Sequence, residues 1–301
     1  MMKEPFFWLR GARLVTQIHP EMPLLARLLG VDGVRHPKDP ASAHIARSLW
    51  QVAQAILLFG ILAWLIYAGA AAMEYRWQWY RVGPFFYRII DDEFIPGPLI
   101  RGIIVTLQLA GVSSVLAILI GAFTAIGRMS NSIAGRSIAT IYLEIIRNTP
   151  LLVQLFMFYF VLAPIFGIDR FWAGVLCLAA FEGSFAAEII RGGIQAVERG
   201  QYEAADATGL SKFNKYRYVI VPQALPLILP PLTSLLISLI KHSAIVSVIA
   251  VAELTTEGLN LISDTYMAFE IWFIIAGMYL VLTTSLSVLV NVLEVKMNRA
   301  R

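Results

Sequence analysis

The sequence predicts an all-α integral membrane protein with six transmembrane helices and both termini on the cytoplasmic side. Three observations carry this. Of the 301 residues, 58% are hydrophobic and 15% charged, with a mean hydropathy of +0.70, whereas a soluble domain is near half apolar and a quarter charged. Six apolar runs approach or exceed the ~20 residues that a spanning helix needs. Lysine and arginine gather in alternate loops, as they do when the cytoplasmic face retains them.

Residues 1–48 carry Lys3, Arg10, Arg13, Arg27, Arg35, Lys38 and Arg47, with no compact apolar stretch before a small-residue cleavage site. They are therefore expected to form a cytoplasmic N-terminal tail rather than a cleaved signal. Within this tail, Glu21 to Gly30 suits a short amphipathic helix on the membrane surface. Arg35 to Pro40 reads as a turn-rich connector, because its two prolines disfavour helix before them. The first span is Leu49–Ala72, free of charge. Beyond it, in the loop 73–98, Trp77, Trp79, Tyr80, Phe85, Phe86 and Tyr87 suit an interfacial aromatic belt.

The second span, Gly102–Gly127, is also uncharged. The third covers about Ser137–Ile165 and holds Glu144 and Arg147, three apart and able to face each other on one turn. The fourth is about Phe171–Ile190, with Glu182 and Glu188. The fifth runs from about Tyr218 to Val248, where Pro222, Pro226 and Pro230 recur every four residues and Pro231 follows. Each proline removes an amide donor and clashes with the preceding turn, so this helix is expected to bend or break. The bend is either a structural kink or the lining of a translocation route, since freed carbonyls must face protein or water. The sixth span is Ile271–Leu293.

Counting short loops, seventeen Lys and Arg fall on the side holding both termini and five on the other. That places both termini and the polar segment around Glu203 inside. The net charge of +4 is spread over many loops and forms no basic stripe, so nucleic acid is not an expected partner. The single cysteine, Cys177, lies in an apolar run and cannot form a disulfide within the chain.

An ionised carboxylate deep in a bilayer costs ~2.5–3.5 kcal/mol on insertion scales unless paired or hydrated. Glu182 lies about eleven residues into its span, near mid-membrane at ~1.5 Å per residue. It is expected to face the protein interior or a wet cavity, either paired with Lys241 or binding a substrate amine. Ser184 is expected to line the same cavity, with Phe181 and Phe185 packing around it. Glu188 and Arg191 sit near the inner interface and read as structural or topological. His242 and Ser243 are adjacent, so on a helix they point in different directions and make no nucleophile–base pair. The chain has no G-x-x-x-x-G-K-[ST] phosphate loop, no H-E-x-x-H helix and no G-x-S-x-G elbow. It is expected to have no enzymatic chemistry, and any nucleotide is bound by another polypeptide.

The most specific signal is Glu203-Ala-Ala-Asp-Ala-Thr-Gly209, followed after nine residues by Val219-Ile-Val-Pro222. It resembles the EAA loop of permease subunits of bacterial ABC importers. Thr106 to Leu109, Arg147 to Leu155, Ala187 to Ile194 and Ser247 to Leu254 resemble the polar amino acid uptake branch of that family. The likeness spans about residues 97–297, with departures at Asn148, Glu182 and His242 to Ala244. It implies a five-helix importer core, residues 99–297, with a cytoplasmic coupling loop at 191–222. It further implies an extra N-terminal transmembrane helix at 49–72 and a periplasmic loop at 73–98.

The resemblance also implies the machinery. Glu203, Ala204, Ala205 and Gly209 would couple to two cytoplasmic ATPase subunits that hold ATP and Mg, with no cofactor on this chain. A second permease, identical or homologous, would complete the pore, and a periplasmic amino acid-binding protein would deliver substrate. Glu182, Ser184, Gln154 and Lys241 are the candidate substrate pathway, with Glu182 suiting a cationic group, either the α-amine or a basic side chain. The expected function is ATP-driven import of polar amino acids across the bacterial inner membrane by alternating access. The competing expectation is an ion-coupled carrier or gated channel without an ATPase. The physics of the loop suits coupling: Glu-Ala-Ala favours helix with small side chains, and Gly209 can end it at positive φ.

Overall fold

The computed structural model describes residues 41–72 and 75–299. The surface helix expected at Glu21 to Gly30 and the connector at Arg35 to Pro40 lie outside these residues. Among the described residues, five helices are long and apolar enough to cross a membrane, or six when one sharply bent pair counts as a span. The chain divides into two units, the first ending at Arg76 and the second starting at Trp77.

The first unit contains α1, Ala41–Ala72. The helix begins eight residues before the expected boundary at Leu49, because Ala41 to Ser48 contains neither glycine nor proline to stop it. Among the described residues of its apolar stretch Trp50–Gly69, none is buried. A helix apolar on all sides in this way is suited to lipid or to another membrane helix.

The second unit opens with a short 3-10 turn, Trp79–Arg81, and α2, Gly83–Phe86. A two-stranded antiparallel hairpin follows, β1 Tyr87–Ile90 and β2 Glu93–Pro96. Its turn residues Asp91 and Asp92 both have positive φ, 51° and 60°, the geometry of a two-residue hairpin turn that short polar side chains tolerate. Trp77 stacks on Trp79 with centroids 6.0 Å apart, and Tyr87 stacks on Phe94 across the hairpin. Phe85 departs from the aromatic belt: it is 6% exposed and packs with Leu99, Leu254 and Ile271.

Next come α3, Pro98–Met129, and α4, Ile133–Asn148, the latter capped by Ser132, whose hydroxyl accepts from Gly135 N at 3.2 Å. The expected continuous third span is broken. α4 and the following Leu151–Phe166 segment meet at 109° across Thr149-Pro150. Proline disfavours helix at the residue before it, and local side chains then satisfy the freed carbonyls. Asn148 Nδ2 donates to Glu144 O, Thr149 Oγ1 to Ile145 O, and Gln154 Nε2 to both Ile146 O and Thr149 O. The second arm comprises α5 (Leu151–Phe156), a π-helical turn (Met157–Leu162) and α6 (Ala163–Phe166), ending at Gly167 with φ 65°.

α7, Arg170–Gln195, starts at Asp169, whose carboxylate accepts from Trp172 N at 3.0 Å. It is the central helix, packed on α3 along a seam of small residues. A Cβ on Gly121 would lie 2.6 Å from the Ala186 Cβ and 2.9 Å from the Ala187 amide nitrogen, so the two backbones approach as only small residues allow. Then come α8 (Arg199–Ala207), α9 (Lys212–Lys215), a π-helical turn (Tyr216–Ile220) and α10 (Val221–His242).

The prolines do not break α10. Pro226, Pro230 and Pro231 all lie inside one 22-residue helix, and the irregular backbone falls at its two ends instead. Ala224, Ile228, Leu232, Leu235 and Leu239 form its buried stripe, while Pro222 and Pro231 are exposed and Pro226 and Pro230 half-buried. The carbonyls that lose their donors therefore fall largely outside this chain's own core.

A 3-10 stretch, Ser243–Ile249, leads into α11 (Leu254–Thr265) and α12 (Ala268–Arg299). Fully buried Glu253 caps α11: its carboxylate accepts from the Thr255 and Thr256 amides, each at 2.8 Å, and from Tyr279 Oη of α12 at 2.9 Å. Burial pushes its pKa up, against those donors. Thr106 of α3 accepts from Leu254 N. α11 is thereby tied to α3 and α12 at the end of the bundle opposite α8.

Candidate functional site

Two places in the second unit hold most of the candidate site residues. The first is α8 and its flanks. Arg199 Nε pairs with Glu203 Oε1 at 2.9 Å along its exposed face. Glu203 and Ala204 point outward, whereas Ala205 is 4% exposed and packs inward. The helix ends as the Gly209 position predicts. Gly209 has φ 72°, its N–H donates to Asp206 O at 3.0 Å, and Leu210 N–H donates to Ala205 O at 3.3 Å. These two bonds are the Schellman pattern, which needs a left-handed residue at Gly209.

The same short helix is fastened at both sides. Tyr202 Oη donates to Ile194 O at 2.8 Å, near the end of α7. Burial, with a lesser contribution from Tyr216, pushes the Tyr202 phenol up, so it stays a neutral donor at physiological pH. Gln223 of α10 donates to Gln201 Oε1 at 3.1 Å, and Lys215 pairs with Asp206 at 2.5 Å. Displacing α8 would therefore load α7 and α10 together. Beside this end, Glu188 bridges Arg128 of α3 at 3.1 Å and Arg191 at 2.5 Å. Glu144 does not face Arg147: it accepts from Asn148 Nδ2, while Arg147 lies over the Phe185 ring at 5.4 Å.

The second place is the middle of α7. Glu182, its side chain 4% exposed, meets His242 at the end of α10, with Oε1 and Nδ1 2.5 Å apart. The expected Lys241 partner is not the one used. Lys241 is exposed, and its neighbour on the helix turns toward α7 instead. Phe181 packs edge-on to His242 at 5.9 Å and to Phe185 at 5.3 Å, so the Arg147, Phe185, Phe181 and His242 contacts form one continuous track.

The other two candidate pathway residues spend their polar atoms locally. Ser184 is fully buried and donates to Phe181 O at 2.7 Å, a bond within its own helix rather than into a cavity. Gln154, 5% exposed, uses its amide to cap α4, leaving its buried Oε1 unpartnered among the described residues. Ser243 donates to Ile240 O while His242 faces Glu182, so those two do not converge. His242 is the site residue that sequence reasoning passed over. Its signals were its place beside Lys241 in the same apolar run and its departure from the family pattern, neither of which names Glu182 as its partner.

Residues 117–299 match the family of binding-protein-dependent transport system inner membrane components. The chain belongs to that family. Its relatives include the glutamine transport system permease protein GlnP of Escherichia coli (strain K12), 37% identical over 202 residues, covering 66% of this chain and 92% of that one. The probable glutamine ABC transporter permease protein GlnM of Bacillus subtilis (strain 168) is 39% identical over 165 residues, covering 54% and 76%. Among solved structures, an amino acid ABC transporter crystallised with histidines shares 43% identity at a TM-score of 0.62, over 66% of this chain and 94% of its own. This chain is a multi-pass inner membrane permease subunit of an ABC importer, a family that works with ATPase and binding-protein partners. The matched region contains every candidate site residue named above and excludes α1.

Proposed function

We propose that this permease imports polar amino acids by alternating access, with α8 as the part pushed by two cytoplasmic ATPase subunits. The observation that carries this is the double fastening of α8 to α7 and α10 through Tyr202 and Gln223. ATP and Mg sit on the motors. Glu203, Ala204 and the Schellman turn at Gly209 present the contact surface, and Ala205 anchors it. The basic residues around α8, with the charge asymmetry of the loops, support a cytoplasmic placement of this end and of both termini.

The relatives that transport glutamine and the structure with histidines support an amino acid substrate. The substrate route runs past Glu182, and the proline-bearing α10 lines it against a second permease, identical or homologous. Carbonyls freed by Pro226, Pro230 and Pro231 then face protein or water rather than lipid. A periplasmic amino acid-binding protein delivers the substrate at the opposite end, where α11 and the hairpin lie. There, an open pocket of 410 Å³ is lined by Arg101, Glu257, Asn260 and Asp264, among others.

Purification in mild detergent through a tag on this chain tests the assembly. ATP-hydrolysing subunits and a second permease should come with it, and uptake in proteoliposomes should stop on ATP depletion. Uptake that continues without ATP would favour an ion-coupled carrier or gated channel. Glu182→Gln tests the route. It removes the charge while keeping the shape, and loss of one charge-assisted contact of roughly 1.5–3 kcal/mol should weaken half-saturation of uptake about 10- to 100-fold. Unchanged uptake kinetics would remove Glu182 from the route.

A further inference from the structure

We infer that Lys212 and Arg217, flanked by the exposed rings of Phe213 and Tyr218, form a site for the headgroup of an anionic phospholipid at the start of α10. Five basic residues lie between positions 191 and 222. Three of them are matched within the chain: Arg191 pairs with Glu188, Arg199 with Glu203 and Lys215 with Asp206. Lys212 and Arg217 form no ion pair or side-chain hydrogen bond among the described residues.

Arg217 is nevertheless held in place. Its guanidinium lies 5.9 Å from the centroid of the Phe213 ring and 5.4 Å from that of Tyr218. Ring contacts engage the face of a guanidinium and leave the N–H donors along its edge unspent. That planar, weakly hydrated edge suits the paired oxygens of a phosphate. Lys212, on the adjoining α9, adds a second cation, so the site attracts a net negative headgroup and disfavours one that carries its own ammonium.

The depth fits a lipid. The candidate span that contains α10 covers Lys212–Ile249. Its run from Ala224 to Ile240 is without charge. At ~1.5 Å per residue that run is about 26 Å long, against a hydrocarbon core of about 30 Å. Arg217 precedes Ala224 by seven residues, about 10 Å along the axis. The headgroup layer adds roughly 5–8 Å on each side of the core, and a long side chain covers the difference by snorkelling. Phe213 and Tyr218 are 69% and 63% exposed, a poor arrangement in water and a favourable one at a bilayer interface. Toward the span, Val221, Pro222 and Leu225 are exposed as well, giving an acyl chain apolar surface beside the cations. A lipid bound here holds the junction between α8 and α10 at the membrane surface, because Lys215, between the two cations, is tied to Asp206 of α8.

The test uses the complex that purifies through a tag on this chain, reconstituted in phosphatidylcholine nanodiscs. One sample carries a trace of phosphatidylglycerol with a photoreactive acyl chain, and a parallel sample carries phosphatidylcholine with the same group. Cross-linked peptides are mapped by mass spectrometry. Phosphatidylglycerol should label residues 213–225 at least fivefold more than phosphatidylcholine does. Lys212→Gln with Arg217→Gln should lower that labelling at least tenfold, from a loss of about fivefold for each basic residue at the surface. Labelling of α12 by either lipid should not change. Equal labelling of 213–225 by the two lipids in the wild type would overturn the inference even if the double variant failed to assemble. So would undiminished phosphatidylglycerol labelling in an assembled double variant. If neither lipid labels the segment, or labelling appears only after the ATPase subunits are stripped away, the patch is a contact between proteins and the lipid site is wrong.

Discussion

The double variant Glu203→Lys with Gly209→Pro should insert into the membrane at a normal level yet lose its ATPase subunits on purification and import almost nothing. Gly209 holds φ at 72°, and proline is locked near −65°. Proline also removes the N–H that donates to Asp206 O, so both Schellman bonds at the end of α8 are lost or displaced. The lysine reverses the charge at the exposed Glu203 position and sets a second cation beside Arg199. For a small helical contact, loss of a hot spot of roughly 2–4 kcal/mol lowers affinity about 30- to 1,000-fold. The spans are not touched, so detergent-extracted yield should hold. Full co-purification together with full uptake would rule out α8 as the coupling element.

Gly121→Leu should have the largest effect on the fold itself. The seam between α3 and α7 leaves no space at this position: the nearest atoms are Ala186 Cβ and the Ala187 backbone, which cannot swing away as a long side chain would. Overpacking typically costs about 1–3 kcal/mol, and more where the obstacle is backbone. α7 also carries Glu182 and leads into α8, so separating it from α3 misplaces both candidate sites. Size-exclusion chromatography after solubilisation should show aggregated protein. Gly111→Leu on the same helix is the control, because no atom lies within 4 Å of an added Cβ there. If Gly121→Leu stays monodisperse and transports while the seam is as described, close packing of α3 on α7 does not determine the fold.

Much of the architecture was legible because membrane helices announce themselves by length and apolarity. Pro98–Met129 and Arg170–Gln195 fall where uncharged or sparsely charged runs placed them. Two local readings were met only in part, for physical reasons: the third span is broken where a continuous one was expected, and the fifth, expected to bend or break, is not broken. One proline, Pro150, bends its chain through 109° because Thr149, Asn148 and Gln154 stand ready to satisfy the opened carbonyls. Three internal prolines in α10 do not break it: none is among the fully buried residues of the helix, whose packed stripe of Ala224, Ile228, Leu232, Leu235 and Leu239 runs on past them. Counting prolines could not separate these cases; the outcome depends on what surrounds each missing hydrogen bond.

The sequence by itself determined that this chain is membrane-embedded, helical, a member of its transport family by the Glu203 to Gly209 pattern, and turned at Gly209 by a left-handed cap. Those properties are local: hydrophobic length, helix propensity and the φ preference of one residue act over a few turns of chain. Only the tertiary structure decided that Glu182 pairs with His242 and not with Lys241, that Ser184 and Gln154 serve the backbone, and that Tyr202 and Gln223 brace α8 from both sides. Residues 60 apart come within hydrogen-bond reach through the rotation of two packed helices about their axes. A shift of one residue turns a side chain by about 100° on a helix of 3.6 residues per turn, so neighbours in sequence face different partners.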